Sequence, residues 1–223
     1  MNKFIVMGPL GSGKSTQASL LANAYDIVHI GVGEILRWNI KSHTKLGARV
    51  RRFVDAGQLV PDEVVEEVVQ RRLEQHDWNH GFVLDGFPRN RTQAEFFLES
   101  YDIDAVVVVD IPDAVVLMRI MSRRLCTACH LDYNLILHRP MVAHVCDICG
   151  GRLSTRADDN PDALRSRLHN YHANTRPMLD LFRARGIVLE VDGVKAPEEV
   201  QREIRSGLML ADPPVMRSAV CAS

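Results

Sequence analysis

The strongest chemical signal in the sequence is a glycine-rich loop close to its start. Residues 8–16 read GPLGSGKST and follow an apolar run at 4–7. The full Gly-x4-Gly-Lys-Ser spacing lets backbone N–H groups turn inward on an anion, while Lys14 adds a charge and Ser15 offers a hydroxyl to Mg²⁺. These backbone conformations depend on the three loop glycines, Gly8, Gly11 and Gly13. The loop therefore predicts a site for a nucleoside triphosphate, and an ordinary glycine-rich turn before a helix is the alternative.

Four cysteines form a second candidate site. They occur as two Cys-x2-Cys pairs separated by sixteen residues, Cys126, Cys129, Cys146 and Cys149. This spacing is typical of two knuckles around one tetrahedral Zn²⁺, and four thiolates leave no open position for water or substrate. We therefore expect a structural Zn²⁺, although Co²⁺ or iron also suits four thiolates. Two short disulfides are the alternative, which a reducing compartment disfavours.

Other cysteine and histidine side chains are not needed to complete this site. We expect the flanking histidines to be surface residues and the last cysteine to be a free thiol in the C-terminal tail; these are His130, His138, His144 and Cys221.

The segment LDGFPRNRTQ, at 84–93, places polar side chains at the end of an apolar strand. Asp85 closes the strand, where ligands bind in an open parallel sheet, and Arg89 and Gln93 lie beyond it. An acid in this position is often simple turn chemistry. Beside a phosphate loop, a magnesium contact through water is favoured for Asp85.

Strand and helix patterns alternate along the chain and must position these groups. Apolar runs predict strands at 4–7, 81–86, 105–110 and 187–191. Helical patterns occupy 14–24, 34–40, 45–56, 62–75, 92–99, 113–124, about 161–185 with a bend at Pro177, and 197–206. Continuous apolar strands separated by helices predict a parallel sheet covered on both faces, which the cysteine segment interrupts.

Composition limits the class of protein. The 223 residues carry 27 basic against 28 acidic side chains and are 46% hydrophobic, enough for one large core with small inserted lobes. No general field attracts nucleic acid or a membrane, no apolar stretch is long enough to span one, and the N-terminus has no signal-peptide pattern. We therefore expect a cytoplasmic monomer. A nucleic-acid-binding or scaffold ATPase is the alternative from another class, disfavoured by the few aromatic residues in the cysteine segment.

Several segments together resemble adenylate kinases of the long form with a zinc-binding lid. Their order and spacing match over roughly 1–207, and they are the phosphate loop, GVGEILR, DAGQLVPDE, LDGFPR, RRLCTAC, CDICGG, RADDNPDALRSRL and VDGVK. The resemblance implies an α/β phosphate-loop NTPase fold with a five-stranded parallel sheet flanked by helices, and reversible transfer of the γ-phosphoryl group of MgATP to AMP. It also implies a core at 1–30, 61–124 and 158–207, a monophosphate-binding lobe at 31–60, a zinc-binding lid at 125–157 and a flexible tail at 208–223.

The resemblance further implies a role for individual positions. The ATP site would comprise Gly11, Ser12, Gly13, Lys14, Ser15, Thr16, Arg119, Arg123, Tyr133 and Lys195. The AMP site would comprise Val32, Arg37, Leu59, Val60, Gly86, Arg89, Gln93, Arg156 and Arg167. The catalytic cations would be Lys14, Arg89, Arg123, Arg156 and Arg167, with Asp158 and Asp159 as their partners. Asp85 and Ser15 would hold Mg²⁺ through water.

The sequence also departs from the pattern of this family near the predicted acceptor. The segment 31–33 reads GVG where adenylate kinases commonly have Ser-Thr-Gly, so Val32 replaces a threonine that touches the AMP base. Gln93 favours AMP, whereas Val32 leaves a kinase that prefers UMP, CMP or GMP as the alternative.

Overall fold

A computed structural model describes residues 2–129, 131–156 and 158–211. Its strands are β1 Asn2–Met7, β2 Val28–Gly31, β3 Gly81–Asp85, β4 Ala105–Asp110, β5 Arg123–Cys126, β6 Asp132–Asn134, β7 Leu153–Ser154 and β8 Val188–Asp192. Its helices are α1 Lys14–Tyr25, α2 Val32–Lys41, α3 Lys45–Asp55, α4 Asp62–Glu74, α5 Arg91–Ser100, α6 Asp113–Met121, α7 Pro161–Asn170, α8 Arg176–Arg183 and α9 Pro197–Gly207. A π-helical turn, Tyr171–Thr175, joins α7 to α8.

The central sheet confirms the predicted parallel five-stranded architecture. Its strand order is β2-β3-β1-β4-β8, and every neighbouring pair is parallel. Alternate residues of β1 belong to different apolar clusters: Ile5 packs in one, and Phe4 and Val6 in the other. Because successive side chains of a strand point to opposite faces, these two clusters are the two buried faces of the sheet.

The strand β2 was not located by the sequence pattern. Its four residues, VHIG, include a histidine and a glycine, so they lack the continuous apolar run that identified the other strands. The strand forms because it pairs in parallel with β3, from Val28 opposite Phe82 to Gly31 opposite Asp85. The paired residues are far apart in the sequence, so no local pattern indicates the strand.

Two predictions of helix extent were wrong in detail. The helix predicted at 113–124 ends at Met121, because Ser122 turns back to bond the Met118 carbonyl with both its N–H and its hydroxyl, and Arg123 begins a strand. The long helix predicted at 161–185 is interrupted at the π-helical turn, before Pro177 rather than at it. A proline lacks the N–H that would continue the α-helical hydrogen bonds, so the turn before it adopts the wider π-helical pattern.

A second, antiparallel sheet lies between α6 and α7, with the order β6-β5-β7. We call this sheet and its connections, residues 123–154 apart from His130, the cysteine lobe. Its buried cluster consists of only four residues, Cys126, Tyr133, Cys146 and Leu153. Apolar packing therefore contributes little to this part of the molecule.

The segment after α3 packs closely against α7. Gly57 has a φ of 66°, and a Cβ at this position would lie 2.3 Å from the Ala163 carbonyl oxygen. The Gly57 carbonyl accepts hydrogen bonds from Ser166 Oγ at 3.2 Å and Asn170 Nδ2 at 3.3 Å. Only glycine fits this approach, which joins the segment after α3 to α7.

The first residues of the predicted tail contact the core. Leu208 and Leu210 pack against an apolar cluster, and the Tyr25 hydroxyl donates to the Ala211 carbonyl at 2.9 Å. The remainder, 212–223 with Cys221, lies outside the described residues, as does His130. Across the part of the chain that is described, no helix combines the length and apolar character needed to cross a membrane.

Candidate functional site

The phosphate loop has the backbone conformation that its sequence predicted. It joins β1 to α1, and φ is positive at all three glycines: 149° at Gly8, 72° at Gly11 and 95° at Gly13. A Cβ at Gly8 would lie 2.2 Å from the Val109 carbonyl oxygen, so no larger residue fits. Gly13 is the N-cap of α1 and has no side chain that could accept from the first N–H groups of the helix. These groups therefore suit an anion.

Lys14 and Asp85 lie together at the carboxyl ends of β1 and β3. Desolvation by burial lowers the pKa of Lys14 to about 8, and the charge of Asp85 opposes this shift. Nearby Arg89, Arg123 and Arg37 lower it further. Lys14 is thus a cation held among other cations, and an anionic ligand would relieve the repulsion.

Five arginines from different elements form one charged group with Lys14: three act on Lys14 directly, and the other two act on Arg37. They lie on α2, after β3, on β5, after β7 and on α7, and they are Arg37, Arg89, Arg123, Arg156 and Arg167. We call these residues with Lys14 the cationic cluster. Burial lowers the pKa of Arg37 to about 10, and the charges of Arg156, Arg123 and Arg167 contribute. Burial and the charge of Arg167 also lower the pKa of Arg89.

Carboxylates fix the direction of the Arg123 and Arg167 guanidinium groups. Arg123 donates from Nε to Asp159 Oδ2 at 2.9 Å and makes a second bond from Nη2 to Oδ1. Arg167 bonds Asp158, and Arg37 lies 4.0 Å from the same carboxylate. Burial alone would raise the pKa of Asp158, but the charge and hydrogen bond of Arg167 hold it below its usual value. A forked pair such as Arg123–Asp159 pre-orients a planar donor for phosphate oxygens.

The group at Asp85 fits a hydrated Mg²⁺. Asp85 is buried, its Oδ2 accepts from Ser15 Oγ at 2.5 Å, and its Oδ1 has no hydrogen-bond partner among the described residues. An unpaired buried carboxylate oxygen beside a hydroxyl offers the hard oxygen ligands that Mg²⁺ prefers. Ser15 and Asp85 therefore could hold the ion of a magnesium nucleotide.

Arg119 and Lys195, both in the predicted ATP set, are held by contacts within the protein. Arg119 is buried under the phosphate loop and donates to the carbonyls of Gly11 at 3.3 Å, Ser12 at 3.4 Å and Val194 at 3.4 Å. It joins the loop to the turn that carries Lys195, whose Nζ is paired with Glu203 at 2.5 Å. Within the predicted ATP set, Ser12 is buried, whereas Ser15 and Thr16 are exposed.

The Tyr133 side chain faces the interior of the cysteine lobe. Its ring is only 2% exposed and stacks on His138, while its hydroxyl donates to Cys146 Sγ at 3.5 Å and accepts from the Asp147 N–H at 2.8 Å. Its place in the predicted ATP site stays a prediction.

The predicted AMP residues surround the carboxyl end of β3. Val32 and Val60 are buried in the same apolar cluster, and Leu59 is partly buried. Gly86 has a φ of 79°, and its carbonyl accepts from Arg89 Nε at 2.9 Å. Gln93 is buried in the first turn of α5.

The four cysteines form one cluster. All four sulfur atoms lie within 4.8 Å of one another, the only such group of metal-binding side chains found among the described residues. Cys126 and Cys146 are buried, whereas Cys129 and Cys149 are exposed. A hydrogen bond from Tyr133 is the main cause that lowers the pKa of Cys146 to about 6, which favours the thiolate. Four sulfur donors at this separation fit a tetrahedral metal such as Zn²⁺.

The backbone around the cysteine cluster is also adapted to it. Gly150, directly after the second pair, has a φ of 70°, and a Cβ at Gly151 would lie 2.9 Å from Cys126 Sγ. His138 and His144 are exposed, as expected.

Sequence reasoning missed two acids that contact predicted site residues. Asp132, on β6, accepts two bonds from Arg156 Nη2, at 2.8 and 2.7 Å. Asp62, the first residue of α4, accepts from Gln93 Nε2 at 2.7 Å. Each partner lies more than twenty positions away in sequence, so no spacing rule indicates either contact.

The fold and the site define a class of protein. A parallel sheet whose first strand leads through a glycine-rich loop into a helix, with arginines gathered at the carboxyl edge, is a phosphate-loop nucleotide-binding protein.

Comparison with known proteins identifies the family within this class. The family model described as adenylate kinase matches residues 6–187. Adenylate kinase of Caldicellulosiruptor bescii is 39% identical over 211 residues, which is 92% of this chain and 98% of the relative. Those of Lachnoclostridium phytofermentans and Archaeoglobus fulgidus are 40% and 42% identical over 207 residues, 91% of this chain and 95% of each relative. The chain belongs to the adenylate kinase family.

Proposed function

We propose that this protein catalyses reversible transfer of the γ-phosphoryl group of MgATP to AMP, giving two ADP. The observation that carries the proposal is the cationic cluster, in which six positive side chains converge beside the phosphate loop. Two phosphorylated substrates repel each other, so an enzyme that joins them must offset their charge and exclude water.

The residues divide this work by position. The loop N–H groups and Lys14 hold the donor phosphates, and Lys14 follows the charge as it moves to the transferred group. Arg37 and Arg89 hold the acceptor phosphate from the opposite side. Arg123, Arg156 and Arg167 meet the group in transfer, and their carboxylate partners keep them oriented when they close on it.

Two metals complete the proposal. Mg²⁺ bound near Ser15 and Asp85 would supply charge neutralisation between the donor phosphates. Zn²⁺ at the four cysteines would be purely structural, because all its positions are filled by protein. We further propose that 31–60 and 125–157 move as a monophosphate-binding lobe and a lid, and that the protein is a cytoplasmic monomer without nucleic-acid or membrane partners.

A second candidate acceptor is another nucleoside monophosphate. Val32 favours it, since its side chain offers no hydroxyl to a base and is buried among apolar residues.

One experiment tests the function and separates the acceptors. The pure protein is mixed with MgATP and, separately, AMP, UMP, CMP or GMP, and the diphosphate product is measured. We expect the highest kcat/KM with AMP. A higher value with UMP, CMP or GMP would replace AMP as the acceptor, and hydrolysis of ATP without any acceptor dependence would contradict phosphoryl transfer altogether.

A further inference from the structure

The amide of Gln93 is held at both ends by groups of opposite hydrogen-bonding character. Its Oε1 accepts from the Arg89 backbone N–H at 2.8 Å, and its Nε2 donates to Asp62 Oδ1 at 2.7 Å. A backbone N–H can only donate, and a carboxylate can only accept. The two bonds therefore determine which end of the amide carries the oxygen. A flipped amide would set donor against donor at Arg89 and acceptor against acceptor at Asp62.

The position of Asp62 is itself fixed. It is the first residue of α4, and the same Oδ1 accepts from Asn90 Nδ2 at 2.8 Å. Asn90 in turn caps α5 by accepting from the Gln93 N–H at 2.9 Å. Among the described residues, no cation forms an ion pair with Asp62. Its Oδ1 therefore accepts from two side-chain amides, that of Gln93 in α5 and that of Asn90, which caps α5.

The hydrogen-bonding groups of Gln93 that are left for a ligand are arranged in a fixed order. One N–H on Nε2 and one lone pair on Oε1 are left, and because the side chain is 1% exposed, a ligand can reach only its edge. A 6-amino purine presents an amino donor beside a ring-nitrogen acceptor. A 6-oxo purine presents a carbonyl acceptor beside a ring N–H donor, so the order is reversed. An amide of fixed direction can match only one of the two, whereas a rotating amide matches both.

We propose that Asp62 is a positioning residue that sets base specificity: by fixing the amide of Gln93, it makes the acceptor site select a 6-amino over a 6-oxo purine. This inference rests on the proposed function, since it assumes that a nucleoside monophosphate lies against Gln93. Accommodating the 6-oxo base requires two broken hydrogen bonds while Asp62 is present, and one when it is absent.

The test compares kcat/KM for AMP and IMP, which have the same size and differ in the edge that Gln93 would contact. We expect the native chain to prefer AMP, and Asp62→Ala to lower the AMP to IMP ratio about tenfold, the size of one buried mismatched hydrogen bond. Asp62→Asn keeps an acceptor oxygen, which the Asn90 Nδ2 donor would hold in the same direction, and should restore most of the ratio. Asp62→Ser is too short to reach Gln93 and gives the same information if Asp62→Ala does not fold.

Two controls separate positioning from a general loss of structure. Glu63→Ala removes the neighbouring first-turn acid of α4 and should leave the ratio unchanged. With Gln93→Ala already present, Asp62→Ala should have no further effect on the ratio. An unchanged ratio in Asp62→Ala, or an equal fall in Glu63→Ala, would overturn the inference. If the native chain transfers no phosphoryl group to AMP, it is the proposed function that fails.

Discussion

The cationic cluster and the cysteine cluster are both groups of like side chains brought together by the fold, but their surroundings differ. The cationic cluster lies at the edge of a sheet whose two faces are buried in large apolar clusters. The cysteine cluster lies in a lobe whose buried cluster has four members, two of which are the cysteines themselves. The fold around the cationic cluster is therefore stabilised by apolar packing that does not depend on a ligand. The fold around the cysteine cluster depends mainly on the cysteines themselves.

This difference separates function from stability. Removing a charge from the cationic cluster leaves the apolar core intact, so it should affect turnover more than folding. A metal at the four cysteines would be the main cross-link of about thirty residues, so losing it should affect folding more than chemistry.

The largest expected effect comes from Lys14→Ala. Because the ammonium acts where phosphate charge shifts in the transition state, we expect kcat to fall by about a hundredfold or more. The midpoint of thermal unfolding should change little, since the variant also relieves repulsion from Arg89, Arg123 and Arg37. Steady-state kinetics and calorimetry on the same preparation measure both. Near-normal turnover would show that Lys14 lies outside the reaction.

Loss of the cysteine-bound metal should have the opposite effect, a large loss of thermal stability with activity retained. We expect one tightly bound metal per chain by elemental analysis, and Cys129→Ser to lower the unfolding midpoint by about 6–12 °C, corresponding to about 3 kcal/mol. Measurable phosphoryl transfer should remain below the transition. Protein purified with reduced thiols but without metal would contradict the site, and a stable metal-free variant with abolished chemistry would contradict its structural role.

A dependence on pH should distinguish activity from stability within the cationic cluster. Because the pKa of Lys14 is about 8 in the folded protein, kcat/KM should fall as pH rises above about 8 and the charge is lost. The folded pKa lies below its ordinary value, so the cost of burying this charge is fully present below pH 8 and is relieved as pH rises towards 10.5. Rate profiles and unfolding free energies should therefore change in opposite directions. A flat rate profile from pH 7 to 10 would place the essential charge elsewhere.

The smallest expected effect tests whether the two regions are separate. Asp132 lies on a strand of the cysteine lobe but bonds Arg156 of the cationic cluster, and its side chain is 53% exposed. Asp132→Asn should lower kcat/KM about threefold by loosening Arg156, while unfolding free energy changes by less than about 1 kcal/mol. Asp162→Asn, which alters an exposed pair with Arg165, is the matched control. A large loss of stability would mean that the pair supports the lobe rather than the site.

The parts of the site that the sequence predicted are those in which the chemistry lies within one short segment. The phosphate loop contains its own glycines, lysine and serine, and each cysteine pair is separated by two residues. Local spacing is sufficient in both cases because the segment itself sets the geometry.

The contacts that were missed join residues that are far apart. Asp132 and Arg156, and Asp62 and Gln93, are 24 and 31 positions apart, and only the packing of complete elements brings them together. The strand β2 was missed for the same reason, since its pairing with β3 rather than its composition makes it a strand. The end of α6 at Met121 depended on a backbone turn at Ser122, and the sequence Ser-Arg-Arg at 122–124 contains no proline or glycine that would indicate it.

The strand pairing at the base of the cysteine lobe also makes the lobe an exchangeable insertion. Leu125 lies opposite Ser154, and Cys126 opposite Leu153, so the chain leaves and returns through adjacent strands. A longer or shorter segment between Cys126 and Leu153 should leave the register of the central sheet unchanged. A protein engineer could exchange the whole segment for a compact hairpin or for a different metal-binding insert, keeping Arg123 and Arg156 on their original stems.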